Sequence, residues 1–214
     1  MARITVIGGT GYAGAAIVRE AAARGHEVTA YSRNAPADPV TGVRYRQGSV
    51  LDDAVRARSV EEADVIVSAL SPRGELAGEL VAVDTRLGEL AAAAGARFGV
   101  IGGFSSLRLA PGGPRIVEGG EVPPQFAAEA EEMATVADAL LAVPESLDWF
   151  YVSPAAEYGA HVPGEAIGAF RTGGDVAFFD DGGKSAISGP DFATAVVDEI
   201  ERPKHHRAHF SVAY

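Results

Sequence analysis

Short β-branched runs alternate with longer alanine-rich stretches along most of this chain. Ile4–Ile7, Glu27–Tyr31, Val43–Arg46, Val65–Ala69, Phe98–Ile101 and Trp149–Val152 read as strands. Between them Ala13–Arg24, Asp53–Ser59, Glu79–Ala94 and Glu129–Leu141 read as helices. Val65–Ala69 is a nearly continuous apolar run, broken only by Ser68, as suits a strand covered on both faces. The alternation predicts an α/β fold, a Rossmann-like doubly wound parallel sheet. Gly25 and Gly95 supply helix stops, because glycine takes the left-handed cap cheaply, and Asp52 is placed to cap the second helix.

Two stretches break the rhythm. Residues 104–124 are rich in glycine and proline and are expected to form an ordered, functional loop. Ala166–Arg171 and Val176–Phe179, followed by the turn Asp180-Asp181-Gly182-Gly183, predict a small antiparallel excursion. Ser188-Gly-Pro-Asp191 opens a last helix, Phe192–Glu201, which stops before Pro203, and Phe210–Val212 reads as a final strand. We expect one domain over residues 1–214, with its substrate side within about 104–128 and 155–190.

The first strand–helix junction carries Gly9-Thr10-Gly11-Tyr12-Ala13-Gly14, and Gly8, Gly11 and Gly14 also fit a G-x-x-G-x-x-G spacing. Such a string is weak alone, but here it joins an apolar strand to a helix inside a strand–helix–strand unit. Glycines there permit a tight turn and close approach of the backbone, and the N–H groups at the helix start attract a diphosphate. Gly8, Thr10, Gly11, Tyr12, Ala13 and Gly14 are therefore expected to hold a dinucleotide. NAD-specific sites place a carboxylate at the end of the second strand. Here Tyr31-Ser32-Arg33-Asn34 offers none, and Arg33 can fork onto a 2′-phosphate with Ser32 or Asn34 assisting. NADP(H) is thus preferred, with NAD(H) also admitted. Ser49 and Val50 after the third strand are expected near the adenine, and Ala69, Leu70 and Ser71 after the fourth near the ligand edge of the sheet.

The chain has 214 residues, a formal net charge of −11 and no cysteine. Disulfides, thiolate metal sites and cysteine nucleophiles are excluded, and the composition fits a reducing compartment. An acidic field repels phosphate backbones and anionic lipid, so neither nucleic acid nor a membrane surface is an expected partner. The start enters a strand directly, without a signal-peptide pattern, and we expect a cytoplasmic protein. Monomer and homodimer both remain open.

The chain resembles the atypical short-chain dehydrogenase/reductases, in the NAD(P)H-binding group that includes the NADH-flavin reductases, with biliverdin-IXβ reductase a more distant cousin. The resemblance spans nearly all the chain. It rests on Ile7-Gly-Gly-Thr-Gly-Tyr-Ala-Gly14, Val100-Ile-Gly-Gly-Phe-Ser-Ser-Leu107, Asp148-Trp-Phe-Tyr-Val-Ser-Pro-Ala-Ala-Glu157, and the tail from Arg171-Thr-Gly-Gly-Asp175 to Tyr214. It implies that Arg33, Gly102, Gly103 and the segment Ser153, Pro154, Ala155, Ala156, Glu157 face the cofactor.

Most members of that superfamily use a Tyr-x-x-x-Lys pair. None of the six tyrosines here has a lysine four residues later, and the helix after Pro124 begins Gln125-Phe126-Ala127-Ala128. Forming an alkoxide needs a positioned acid, whereas a flavin or quinone spreads the incoming charge over its ring and takes its proton from water. The reading is therefore an NAD(P)H-dependent reductase that passes hydride to a flat small-molecule acceptor, with FMN or FAD as substrate rather than bound cofactor. The alternative is a non-catalytic protein that senses NADP(H). Ser105 and Ser106, after the fifth strand, can hydrogen-bond a carbonyl, and His161 can donate a proton. These three are the candidate catalytic residues, and Glu157 and Tyr158 can border the acceptor. His205, His206 and His209 lack a carboxylate at ligand spacing and are expected to face solvent, so no metal is expected. Asp180-Asp181 reads as turn chemistry, and Glu129, Glu131 and Glu132 as a solvated helix face.

Overall fold

The computed structural model describes residues 1–61, 63–120 and 122–214. Its strands are β1 (Arg3–Ile7), β2 (Glu27–Ser32), β3 (Arg44–Gln47), β4 (Val65–Ser68), β5 (Arg97–Ile101), β6 (Trp149–Ser153), β7 (Arg171–Gly173) and β8 (Ala208–Ala213). They form one sheet in the order β3-β2-β1-β4-β5-β6-β8-β7, parallel throughout except where β7 meets β8. The helices are α1 (Tyr12–Ala23), α2 (Asp53–Val60), α3 (Leu80–Ala94), α4 (Pro124–Ala139) and α5 (Gly189–Glu201). The doubly wound architecture is the one expected.

Alternation within fully buried strands divides the core in two. On β6, Phe150 and Val152 join α1 and α5 through Ile17, Val18, Phe192 and Val196. Trp149 and Tyr151 point the other way, toward Val55 of α2, Leu80 and Leu87 of α3, and Met133 and Val136 of α4. Each large apolar side chain so buried contributes about 1.5–3 kcal/mol.

Local chemistry sets the helix ends. The Asp52 side chain accepts from the Ala54 N–H, and the Ser188 hydroxyl accepts from the Asp191 N–H. Gly25 follows α1 at φ 81°, and Gly95 closes α3 at φ 70°. Asp180 Oδ1 accepts from the Gly182 and Lys184 N–H groups, as a turn aspartate does.

Four expectations need correction. The helix expected at Glu129–Leu141 runs from Pro124 to Ala139, because proline is accepted in a first turn, where no N–H is needed. The loop of 104–124 is accordingly shorter and holds short 3₁₀ turns at Phe104–Ser106 and Ile116–Gly119, with Glu121 outside the described residues. Ala166–Arg171 and Val176–Phe179 do not pair as a hairpin. Arg171–Gly173 instead adds to the edge of β8, and Val176 makes only an isolated bridge to Arg108. Glu132 is more than a solvated residue of α4: its carboxylate accepts from the Gly78 and Leu80 N–H groups and so caps α3 from a neighbouring helix.

From β1 the chain steps outward to β2 and β3, then returns to the other side of β1 for β4. That reversal opens a crevice over the carboxyl ends of β1 and β4, where ligands settle in such sheets.

Candidate functional site

The crevice begins at the glycine turn. Gly8 has φ +81°, and a Cβ there would stand 2.5 Å from the Ala69 carbonyl oxygen. A Cβ on Gly14 would collide with the Gly8 carbonyl oxygen, so α1 lies directly on the turn's backbone. The Gly8 and Gly9 N–H groups both donate to the Tyr31 carbonyl, at 2.9 and 3.1 Å, which ties the turn to the end of β2. Gly11 caps α1 without a side-chain hydrogen bond, so the opening N–H groups of α1 are left for an anion. A glycine-floored turn at an uncapped helix start suits a diphosphate.

Two hollows adjoin this turn. The smaller, about 210 Å³, is lined by Gly8, Thr10, Gly11, Ser32, Arg33, Asn34, Ser49, Val50, Ala69, Leu70 and Ser71, together with Arg73, Glu75 and others. The larger, about 590 Å³, is lined by Gly11, Tyr12, Ala13, Ala69, Leu70, Ser71, Gly102, Gly103, Ser105, Ser106, Pro154, Ala155, Ala156 and His161 among others. Gly11, Arg73 and the Ala69–Ser71 segment border both, so the hollows run together as one cleft. Most of the residues singled out in the sequence are thus brought to one surface.

Three are placed differently. Gly14 is buried beneath the turn. Ser153 is fully buried behind the larger hollow, where its hydroxyl donates to the Gly103 carbonyl at 2.8 Å. Glu157 lies off the cleft, paired with Lys184 at 3.0 Å.

Sequence reasoning missed Arg73 and Glu75. Both follow Ser71-Pro72 on the connection from β4 to α3, and extending the loop reading past Pro72 would have reached them. Arg33 and Glu75 face each other at 3.2 Å, and Arg73 reaches Glu129 of α4 at 2.7 Å.

At the larger hollow the two serines differ. Ser106 is buried with its hydroxyl 3.1 Å from that of Tyr151. Tyr151 spends its own proton on the Met133 carbonyl at 2.9 Å, so Ser106 donates to Tyr151 and its proton turns inward. Burial pushes the Tyr151 phenol well above its ordinary range. Ser105 is half-buried on the same wall, and His161 is exposed at the rim. Tyr158 stacks edge-on to Tyr12, with centroids 5.2 Å apart. Its buried hydroxyl has no partner among the described residues, and burial raises its pKa as well. Phe104 and Phe126 add apolar surface.

The C-terminal histidines also need correction. His206 is exposed, as expected, but His205 is half-buried against Glu199, with Nδ1 2.7 Å from its carboxylate. His209 stands edge-on to Tyr151 with Nε2 2.8 Å from the Ser153 oxygen. Ser153 donates to Gly103, so His209 carries its proton on Nε2. Burial lowers its pKa to about 4, which keeps the ring neutral. Among the described residues no group of three His, Asp or Glu side chains could hold a metal, and no helix is long and apolar enough to cross a membrane.

The NAD(P)H-binding family model matches residues 8–203. Three solved structures are similar over nearly whole chains. A Burkholderia pseudomallei protein, provisionally named as exported, is 38% identical with a TM-score of 0.88, covering 100% of both chains. A Bacteroides thetaiotaomicron protein, provisionally named an epimerase, is 31% identical with a TM-score of 0.88, covering 100% of this chain and 97% of its own. A Streptococcus pneumoniae protein, provisionally named an NADH-flavin reductase, is 28% identical with a TM-score of 0.84, covering 100% of this chain and 99% of its own.

Proposed function

The chain belongs to the NAD(P)H-binding family, and from that premise we propose a reductase that prefers NADPH and passes hydride to a flat acceptor, a free flavin or a quinone. The observation that carries this reading is the two-part cleft. A glycine turn at an uncapped helix start adjoins a roomy hollow walled by Phe104, Phe126, Met133 and Tyr158. The smaller hollow takes the adenosine end, with Arg33 toward the 2′-phosphate. The turn and the start of α1 hold the diphosphate.

When bound, the reduced nicotinamide supplies the hydride. The chain's part is to stack the acceptor against it and exclude competing geometries. The acceptor takes the hydride on its ring and a proton from water, so no positioned acid is required. Epimerisation does require a positioned acid–base pair, and this chain has no Tyr-x-x-x-Lys sequence to provide one. The Ser106 proton is committed to Tyr151, so of the three candidate catalytic residues Ser105, and His161 at the rim, are left to orient an acceptor carbonyl.

The test is loss of nicotinamide absorbance when purified protein meets NADPH with FMN, FAD or menadione. Turnover with at least one acceptor is expected. NADPH binding with no turnover above buffer for any acceptor overturns the reductase and leaves the NADP(H)-sensing alternative.

A further inference from the structure

Among the residues lining the smaller hollow, three carry charge: Arg33, Arg73 and Glu75. Arg73 is engaged by Glu129 from α4 at 2.7 Å. The other cation, Arg33, meets Glu75 through a single contact at 3.2 Å, with side chains 55% and 66% exposed. The end of β2 has no carboxylate, but Glu75 brings one to the same place from across the cleft, on the connection between β4 and α3.

We propose that Glu75 is a specificity-determining residue that sets the balance between NADPH and NADH by competing with the 2′-phosphate for Arg33. This rests on the reading that Arg33 faces the adenosine ribose. An exposed pair with one contact is weak, so Arg33 exchanges it readily for a phosphate that it can grip with two N–H groups. The exchange leaves the Glu75 carboxylate beside a phosphate of like charge, which opposes NADPH. NADH brings no phosphate there. Its 2′-hydroxyl can donate to Glu75, the role that a carboxylate ending the second strand fills in NAD-specific sites. Glu75 therefore narrows the preference that Arg33 creates and keeps both nucleotides within reach of one site.

The experiment measures dissociation constants of NADPH and NADH by calorimetry for the unmodified chain, Glu75→Gln, Arg33→Ala and the double variant. Glu75 is exposed on a short 3₁₀ turn, and Glu75→Ser serves as a second replacement. Either single Glu75 change is expected to tighten NADPH by about threefold to tenfold and to leave NADH unchanged or weaker. That gain should shrink as salt is raised, because charge repulsion is screened while a packing effect is not. In the double variant the part of the gain that comes from freeing Arg33 is lost, and only the part that comes from like-charge repulsion remains. Equal effects on the two nucleotides, or none, overturn the role of Glu75. If the unmodified chain binds neither nucleotide, the proposed function itself fails. If Arg33→Ala weakens both alike, the placement of Arg33 fails.

Discussion

Asp84, on α3, is 1% exposed, with one carboxylate oxygen accepting from the Ser68 hydroxyl at 2.7 Å and the other without a partner among the described residues. Burial pushes its pKa up to about 7, and the Ser68 hydrogen bond offsets only part of that rise. A pKa raised by folding gives stability that is full below the unfolded value and lost as pH rises toward the folded one. Asp84→Asn should therefore gain on the unmodified chain by as much as ~4 kcal/mol between pH ~4 and pH ~8 in denaturant melts. A difference independent of pH would refute this. His209 works in the opposite sense. Its pKa is lowered to about 4, so its contribution is full above the unfolded value near 6.5 and fades as pH falls through that window. Ring-nitrogen NMR should show a neutral ring protonated at Nε2 down to pH ~5, and a titration near pH ~6.5 would contradict it. None of this was legible in the sequence. The solvent-facing expectation for His209 failed because spacing says nothing about the Tyr151 and Ser153 side chains that the sheet brings against it.

Most elements could be read from hydrophobic period and glycine punctuation, including β1, α1 and β2 around the glycine turn. Those signals are local, and so was the evidence for them. Pairing across the chain was not legible. The stretch after Ala166 looked like a hairpin, yet Arg171–Gly173 finds its partner in β8, the last strand. The cap that Glu132 places on α3 joins residues 52 and 54 positions apart, which no periodic pattern reports. Glu132→Ala should cost about 1–2 kcal/mol in thermal or denaturant unfolding, as loss of a helix cap does, and an unchanged midpoint would remove the cap from the account. On α1, Gly14→Ala sets two effects against each other. Alanine improves helix propensity by about 1 kcal/mol, but its Cβ would enter the Gly8 carbonyl, and overpacking costs about 1–3 kcal/mol. The clash should win, with nucleotide binding weakened alongside stability. A variant that is both more stable and fully binding would show that the turn has room it is not expected to have.

Across the whole molecule, one buried ionic group joins β5, α5 and the segment leading into β8. Arg97 is 9% exposed and donates to Asp148, to the Glu199 carboxylate at 2.7 Å, and to the Glu199 and His205 carbonyls. Burial alone would raise the Glu199 pKa, but hydrogen bonds from Arg97, His205 and Lys204 hold it below the ordinary range. Arg97→Met would leave that carboxylate buried and short of its cation, at a cost of about 3–5 kcal/mol in unfolding free energy. This group lies away from the cleft and bears on the frame rather than on the chemistry. The functional account depends on the opposite, carboxyl end of the sheet, where the chain leaves the adjacent strands β1 and β4 and the main-chain N–H groups that open α1 are proposed to meet the ligand. Calorimetry of the folded protein with NADPH and then NADH tests that most directly. The account predicts one saturable site per chain for both, with Arg33→Ala weakening NADPH by about tenfold or more and NADH by less than about twofold. Absence of heat from either nucleotide at about millimolar concentration would contradict it.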